Sequence, residues 1–425
     1  MTLDAATLFS LVPGYLERQS WYALAVAGDP PAPLELESVE LLRDGEPGLA
    51  RLLLRRGERW LLQLVGWRPA TGFAGVLRNE DRSLMGSADD EGTTVIVYDA
   101  LADDALMRFV LERASGGKVE GHLVRPLATL VSHASLVFDE KVFMKCYRVL
   151  ERGPRPEVEV LFRLDEAGFN ALAAPLGRWR EGDFDLALVR EFLPSALEGR
   201  LLALTSLRDL LAHASLGEEA EGEFSGGVDL DNAERAAASA GGDFASEMRR
   251  LGETTARLHV AMATAFGRRE LTAQALPPSF ERPAGLALGE EIQLHGDFHL
   301  RRVMRGETGW LVTGFGDDPL YNESGGAPSS ALRRGSCLED LADMTFALRR
   351  VSLEALAQRP EREAPLAGAL AAAWMRRNCG AFLGGYLADA GVSPLLPPDQ
   401  RFRDQLLYAY EQVRERRYEA TSAGA

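Results

Sequence analysis

The first strong pattern in the chain is an alternation of apolar and polar positions close to the N-terminus. The stretch ELESVELLRDGEPGLARLLLRRGERWLLQLVGW, residues 35–67, has apolar runs that are broken by the turn-forming pieces RDGEPG and RRGER. This pattern predicts a meander of paired strands. The later stretch TTVIVYDALADDALMRFVLERASGG predicts a strand followed by an amphipathic helix, and Gly116 and Gly117 provide the stop signal.

A second alternating stretch, ASLVFDEKVFMKCYRVL, predicts a hairpin that turns at Asp139 and Glu140 and places Lys145 in mid-strand. PRPEVEVLFRLDEAGF then predicts a helix that starts at a proline and carries Glu157 and Glu159. DLALVREFLP predicts a further strand that ends at Pro194. From Leu201 onward the pattern is mostly helical, interrupted by an acidic stretch rich in glycine, serine and alanine over 217–244, which predicts a surface loop.

Composition narrows the possible classes of protein. The 425 residues are 46% hydrophobic, enough for two or three packed units, and the net charge is -16. This charge disfavours nucleic acid and anionic membrane surfaces as partners. The three cysteines have no CxxC spacing, and the sequence shows neither a signal peptide nor a membrane-spanning apolar run, so we expect a cytoplasmic protein.

Two pieces of the sequence are candidates for chemistry. A lysine in an apolar strand, such as Lys145, must bring its ammonium to a carboxylate, a phosphate or the solvent. The stretch HGDFH offers Asp297 as an acceptor for a substrate hydroxyl proton, although a polar turn is the simpler interpretation. His295, Asp297 and His299 could also form a metal cluster of a hydrolase, but too few other histidines are nearby for a dinuclear site.

Taken in order, several motifs resemble the maltokinase family, bacterial ATP-dependent sugar kinases with the fold of aminoglycoside phosphotransferases and, more distantly, of protein kinases. These motifs are VYDALADDALMRFVLE, VSHASLVFDEKVFMKCYRVLERGPRPEVEV, VREFLP, SLRDLL, LGETTARLH, HGDFHL, AFLGGYL and LLYAYE. The resemblance implies an α+β, bilobal kinase-like fold. Its expected parts are a β-rich N-terminal cap over 1–116, an intermediate β-rich subdomain over 117–200 and a helical C-lobe over 201–425.

The resemblance also implies roles for individual residues. Asp297 corresponds to the catalytic base, and Lys145 to the nucleotide lysine. Glu159 is assigned as the partner of Lys145, and Glu157 is the competing candidate. Because the two glutamates point to different faces of the helix, only one of them can make the pair. The segment VSHASL corresponds to the phosphate loop, with Ser132 and Ser135 as further nucleotide contacts and His133 where the family usually has an asparagine.

The differences from the family pattern concern magnesium. Arg302 stands where the family has a glutamine or asparagine ligand, and an arginine cannot ligate a cation. Gly314 and Gly316 replace the acidic residues of the family's DFEGEP-like stretch. Arg302 could act as a fixed cation beside the phosphates, and Asp317 and Asp318 are alternative metal ligands.

Two functions follow from the resemblance. The first is ATP-dependent phosphorylation of a sugar hydroxyl, with maltose in trehalose and glycogen metabolism as the expected case and magnesium as the expected cofactor. The second is a pseudokinase that binds or scaffolds a trehalose- or maltose-processing enzyme. Asp340, in SCLEDLADM, is expected either to anchor the catalytic loop or to be an ordinary charge in the first turn of a helix.

Overall fold

The fold is taken from a computed structural model of the chain. The structure describes residues 3–78, 80–129, 132–216, 233, 235, 237–238, 243–278, 280, 285–315, 333–360 and 364–422. The contacts divide the chain into two compact units, of which the first comprises 1–158 and 174–194 and the second comprises 159–173 and 195–425. Most of the predicted loop over 217–244 lies outside the described residues.

The first sheet of the first unit is the predicted meander, extended by two more hairpin strands. Its strands run antiparallel in the order β1-β2-β3-β5-β4, and the short β9 pairs with β3. The bounds are β1 Leu34–Arg43, β2 Gly48–Arg56, β3 Arg59–Pro69, β4 Leu84–Asp90, β5 Thr93–Asp99 and β9 Val149–Leu150. The apolar side chains of β2, β3 and β5 pack with α1 (Ala5–Leu16) and α2 (Ser20–Ala25) in one hydrophobic core.

Helix α4 follows this sheet as the sequence predicts. After the short α3 (Glu80–Ser83), α4 runs over Asp104–Ser115, with Asp103 as its N-cap and Gly116 as its C-cap. Gly116 has φ +64°, a left-handed conformation that glycine adopts without a Cβ penalty. The stop signal in the sequence is therefore confirmed at this helix.

The second sheet of the first unit carries Lys145. Its order is β10-β11-β8-β7-β6, with bounds β6 Val124–Thr129, β7 His133–Phe138, β8 Val142–Tyr147, β10 Pro175–Glu181 and β11 Phe184–Glu191. The predicted hairpin is confirmed, since Asp139 and Glu140 have φ +51° and +52° between β7 and β8. β11 ends at Glu191, three residues before Pro194, where the sequence pattern predicts its end. Helix α5, Pro156–Glu166, starts at the predicted proline.

The second unit is mostly helical, as the sequence predicts. Its long helices are α6 Gly199–Leu216, α7 Ala245–Phe266, α8 Leu338–Ala357, α9 Ala364–Leu387 and α10 Gln400–Ser422. Two three-stranded sheets complete it, β12-β15-β16 and β13-β14-β17. Their bounds are β12 Leu197–Glu198, β13 Arg269–Glu270, β14 Glu290–Gln293, β15 Val303–Arg305, β16 Trp310–Val312 and β17 Arg334–Ser336. Among the described residues no helix is long and apolar enough to cross a membrane.

Helices α7 and α9 cross at very short distance, and two glycines make this possible. A Cβ at Gly252 on α7 would lie 2.0 Å from the carbonyl oxygen of Phe382, and one at Gly385 on α9 would lie 2.1 Å from that of Arg249. Because a Cβ cannot approach a backbone atom this closely, a larger residue at either position would push the helices apart. The crossing places Tyr386 of α9 against His259 of α7.

Candidate active site

Lys145 on β8 forms an ion pair with Glu157 on α5. The Nζ of Lys145 lies 2.7 Å from Oε2 of Glu157, and Tyr147 donates a 3.3 Å hydrogen bond to the same oxygen. Burial raises the pKa of Glu157, but the charge and hydrogen bond of Lys145 outweigh it and hold the pKa below its ordinary value. The carboxylate of Glu157 is therefore ionised at neutral pH and fixes the direction of the lysine.

The predicted pairing of Lys145 with Glu159 is wrong in this structure. Glu159 instead makes a 2.8 Å ion pair with Arg163, one helical turn along α5. Residues two apart on a helix are rotated by about 200° around its axis, so they point to nearly opposite sides and only one glutamate can face β8. The spacing contained a signal for the right choice, because Glu157 shares its helix face with the buried Leu161 and Leu164.

The predicted phosphate-loop residues share a sheet face with Lys145. Ser135 on β7 lies directly opposite Lys145, and His133 lies opposite Tyr147. The Oγ of Ser132 is 2.9 Å from Nδ1 of His133, and the backbone carbonyl of Ser132 accepts hydrogen bonds from two backbone N–H groups. Burial and the charge of Lys145 lower the pKa of His133 to about 3, so the imidazole is neutral. Nucleotide contacts by Ser132 and Ser135 stay a prediction.

The stretch that follows β14 is held by the carboxylate of Asp340. Asp340 is fully buried in the first turn of α8 and accepts hydrogen bonds from the backbone N–H groups of His295 and Gly296 at 2.9 and 3.1 Å. Gly296 has φ +86°, which lets the chain turn at this point. Of the two roles expected for Asp340, the anchor of the loop is confirmed.

Two further polar residues in the core support Asp340, and neither was identified from the sequence. His259 of α7 has Nε2 3.3 Å from Asp340 and Nδ1 2.9 Å from the hydroxyl of Tyr386. Burial lowers the pKa of His259, but the hydrogen bond to Asp340 outweighs it and raises the pKa to about 9. A single histidine among the buried apolar residues of a helix was the available signal, since a buried polar side chain needs partners.

The anchored loop presents Asp297 between two arginines and a histidine. Its Oδ2 lies 2.8 Å from Nη2 of Arg302 and 3.3 Å from Nε2 of His299, and its Oδ1 lies 3.4 Å from Nη2 of Arg414 on α10. Burial raises the pKa of Asp297, but His299 and Arg302 outweigh it and hold the pKa well below the usual range. Asp297 is thus ionised and able to accept a proton, although its low pKa makes it a weak base.

The two histidines beside Asp297 have separate hydrogen bonds to the chain. The Nε2 of His295 lies 3.0 Å from the carbonyl oxygen of Thr313, and its ring packs near Phe298 and Phe315. The Nδ1 of His299 accepts from the N–H of Arg301 at 3.2 Å. Within the described part of the chain, no group of three or more His, Cys, Asp and Glu side chains could hold a metal ion.

The arrangement of Arg302 and Gly314 does not fit the magnesium that the kinase-like fold implies. Arg302 supplies a cation where a ligand is expected, and it is bonded to Asp297. A Cβ at Gly314 would lie 2.7 Å from both Cδ and Nη1 of Arg302, so the arginine fills the space that a side chain at 314 would need. The other predicted ligands, Asp317 and Asp318, lie outside the described residues, as does Gly316.

A cavity of about 480 Å³ in the second unit opens beside the anchored loop. Its walls come from the loop and from helices α6, α8 and α10, and they include His299, Arg301, Asp343 and Arg414. Arg414 contacts Asp297 at 3.4 Å and Asp343 at 3.5 Å, so the cavity adjoins the carboxylate of the loop. Its volume lies in the range that is usual for small-molecule sites.

Comparison with known proteins agrees with this architecture. Residues 15–103 match the maltokinase N-terminal cap domain. A glucosamine kinase in complex with glucosamine, ADP and inorganic phosphate is 20% identical with a TM-score of 0.59, over 96% of this chain and 93% of that chain. A second crystal form of glucosamine kinase is also 20% identical, with a TM-score of 0.56 over 91% of this chain and 90% of that chain. The chain therefore has a segment that matches the maltokinase N-terminal cap domain and a kinase-like, bilobal α+β fold, as its sequence predicts.

Proposed function

We propose that the protein is a sugar phosphotransferase of the maltokinase type, which transfers the γ-phosphoryl group of ATP to a sugar hydroxyl. The observation that carries this proposal is the loop in which Asp340 fixes the backbone of His295 and Gly296 and presents an ionised Asp297. A carboxylate on a rigid loop can accept the hydroxyl proton while the oxygen attacks the phosphorus and ADP leaves.

Lys145 is the proposed ligand of the ATP phosphates. Its ammonium is held by Glu157 on the sheet face that also carries Ser135, and a fixed cation is well suited to phosphate oxygens. Ser132 and Ser135 are the further proposed nucleotide contacts. The reaction is balanced without another reactant: ATP and a sugar hydroxyl give ADP, a sugar phosphate and a proton.

The cap domain makes maltose the first acceptor to test, with maltose 1-phosphate as its product. The proposal includes a role in trehalose and glycogen metabolism and a location in the cytoplasm. The bound glucosamine in the structural neighbour supports a sugar as the acceptor class. Its bound ADP supports ATP as the donor.

A pseudokinase is the second candidate, and the contacts of Arg302 favour it. Arg302 stands in place of a magnesium ligand, blocks the space beside Gly314 and lowers the basicity of Asp297. Loss of the metal removes several kcal/mol of charge stabilisation, where about 1.4 kcal/mol corresponds to a tenfold change in rate. A protein that binds its ligands without turnover could then serve as a subunit of a trehalose- or maltose-processing enzyme.

The test measures sugar phosphate formed from ATP with maltose, trehalose, glucose and glucosamine as acceptors. We expect product with at least one sugar from the native protein and from Asp404→Asn, since Asp404 is an exposed residue of α10. Asp297→Asn should lower the rate by about two orders of magnitude or more, because a positioned base contributes this much. Equal rates in the two variants would show that Asp297 is not the base.

A calorimetric titration with ATP, in magnesium and again in chelator, separates the two candidates. ATP binding without any sugar phosphorylation would favour the pseudokinase. Binding that requires magnesium would show that residues outside the described part of the chain, such as Asp317 and Asp318, complete a metal site.

A further inference from the structure

The cavity beside the anchored loop is rich in arginine, although the protein as a whole is strongly acidic. Four arginines and two carboxylates line it, namely Arg200 on α6, Arg301 in the loop, Arg350 on α8, Arg414 on α10, and the carboxylates Asp343 and Glu354, both on α8. The chain carries a net charge of -16, so this local excess of cations differs from the average surface. A concave site with an excess of one sign of charge concentrates ligands of the opposite sign.

The arginines differ in how far they are already neutralised. Arg200 is paired with Glu354, because its Nη2 lies 2.7 and 2.6 Å from the two carboxylate oxygens. Arg414 lies at 3.4 to 3.5 Å from Asp297 and Asp343, which is longer than a strong charged hydrogen bond. Arg350 pairs with no carboxylate of the described residues, and its guanidinium lies 3.9 Å from the centre of the Tyr418 ring.

Stacking on Tyr418 suits Arg350 for binding an anion. The aromatic ring holds one face of the planar guanidinium, and the N–H groups at its edge can still donate. Guanidinium groups match phosphate oxygens in paired, parallel hydrogen bonds, which an ammonium cannot do. The guanidinium of Arg350 is thus a hydrogen-bond donor that is held in place before any ligand arrives.

The rest of the cavity suits a sugar ring. Asp343 can accept hydrogen bonds from hydroxyl groups, and Phe346 and Val351 supply apolar wall. We propose that this cavity binds a phosphorylated sugar, with Arg350 as the main contact of its phosphate. The inference rests on the proposed function, because a phosphorylated sugar is the product of the proposed reaction. The cavity would retain this product beside Asp297.

The experiment measures binding by calorimetry in chelator and without nucleotide, so that it does not depend on turnover. The probes are maltose 1-phosphate, maltose and inorganic phosphate. We expect maltose 1-phosphate to bind at least about tenfold more tightly than either of the other two, because one charged hydrogen bond is worth about this factor. If maltose bound as tightly as maltose 1-phosphate, the proposed phosphate contact would be wrong. If inorganic phosphate bound as tightly as maltose 1-phosphate, the proposed contacts of the sugar ring would be wrong.

Three variants assign the effect to the cavity. Arg350→Gln should weaken maltose 1-phosphate binding about tenfold and leave maltose unchanged, while Arg401→Gln, an exposed arginine of α10 outside the cavity, should change neither. Glu354→Gln should act in the opposite direction and strengthen binding, because it frees Arg200 from its partner. Equal losses in Arg350→Gln and Arg401→Gln, or no gain in Glu354→Gln, would contradict the assignment.

Preferential binding of maltose 1-phosphate by a protein that catalyses no phosphotransfer would refute the proposed reaction alone. Phosphotransfer with no preference for maltose 1-phosphate over maltose would refute this inference alone.

Discussion

Replacing Gly314 with aspartate restores the carboxylate that the maltokinase-like pattern has at this position, but the structure has no room for it. The Cβ would meet Cδ and Nη1 of Arg302 at 2.7 Å, and those atoms would have to move. Movement of Arg302 breaks its 2.8 Å bond to Asp297. The two positions are therefore coupled through one volume of space, and their substitutions should not be additive.

The size of the coupling follows from two costs. Gly314 has φ +74°, and a side chain at a left-handed position costs about 1 kcal/mol. Loss of the charged hydrogen bond between Arg302 and Asp297 costs about 2 kcal/mol. Gly314→Asp incurs both costs and Arg302→Asn incurs the second, which gives about 3 and about 2 kcal/mol respectively. The double variant incurs each cost once, so we expect about 3 kcal/mol instead of an additive total of about 5.

The assay is urea unfolding of the native protein, the two single variants and the double variant, followed by far-ultraviolet circular dichroism. Gly75→Asp is the matched control, because Gly75 has φ +77° and its added Cβ would meet nothing within 4 Å. Combined with Arg302→Asn, it should be additive within about 0.5 kcal/mol. Equal slopes of unfolding free energy against urea show that the same transition is compared.

Additive effects of Gly314→Asp and Arg302→Asn would refute the reasoning, because the shared space would then have no energetic consequence. Titration of the double variant with ATP extends the test to the metal. We expect binding in magnesium to exceed binding in chelator only for the double variant, since the introduced amide and carboxylate would together offer the oxygen ligands that magnesium prefers.

Two further predictions concern Lys145 and Asp343. Glu157→Gln should weaken ATP binding about tenfold or more in a calorimetric titration, whereas Glu159→Gln on the same helix should change it less than twofold, because Glu157 pairs with Lys145 and Glu159 pairs with Arg163. Burial raises the pKa of Asp343 from 3.8 to about 7, so the ionised form costs stability and the native protein loses stability as the pH rises from 4 to 7. Asp343→Asn should remove this loss, which is up to about 4 kcal/mol above pH 7. Thermal unfolding should therefore show a larger gain in melting temperature for the variant at pH 8 than at pH 5, whereas equal gains at the two pH values would show that Asp343 stays ionised throughout.

Local sequence patterns were sufficient to predict most of the secondary structure. The meander over 35–67 and the turn at Asp139 and Glu140 depend on alternation and on turn residues, which act over a few positions. Gly116 ends α4 for an equally local reason. These features could be predicted because their causes lie within neighbouring residues.

The side-chain partners were harder to predict because they are decided by packing between distant elements. The choice of Glu157 over Glu159 depends on which face of α5 meets β8. The contact of Asp297 with Arg414 joins positions 117 residues apart, and the support of Asp340 by His259 and Tyr386 depends on the crossing of α7 and α9. No single stretch of sequence contains this information.

The substitution of Arg302 is best understood together with Gly314. If position 314 were aspartate and position 302 stayed arginine, the two side chains would pair but would not both fit. If position 302 were asparagine and position 314 stayed glycine, the space between them would be left unfilled. The observed pair solves both problems and adds a cation 2.8 Å from Asp297. The two departures from the kinase pattern are thus one packed arrangement, in which the guanidinium of Arg302 occupies the space beside Gly314 and is bonded to Asp297.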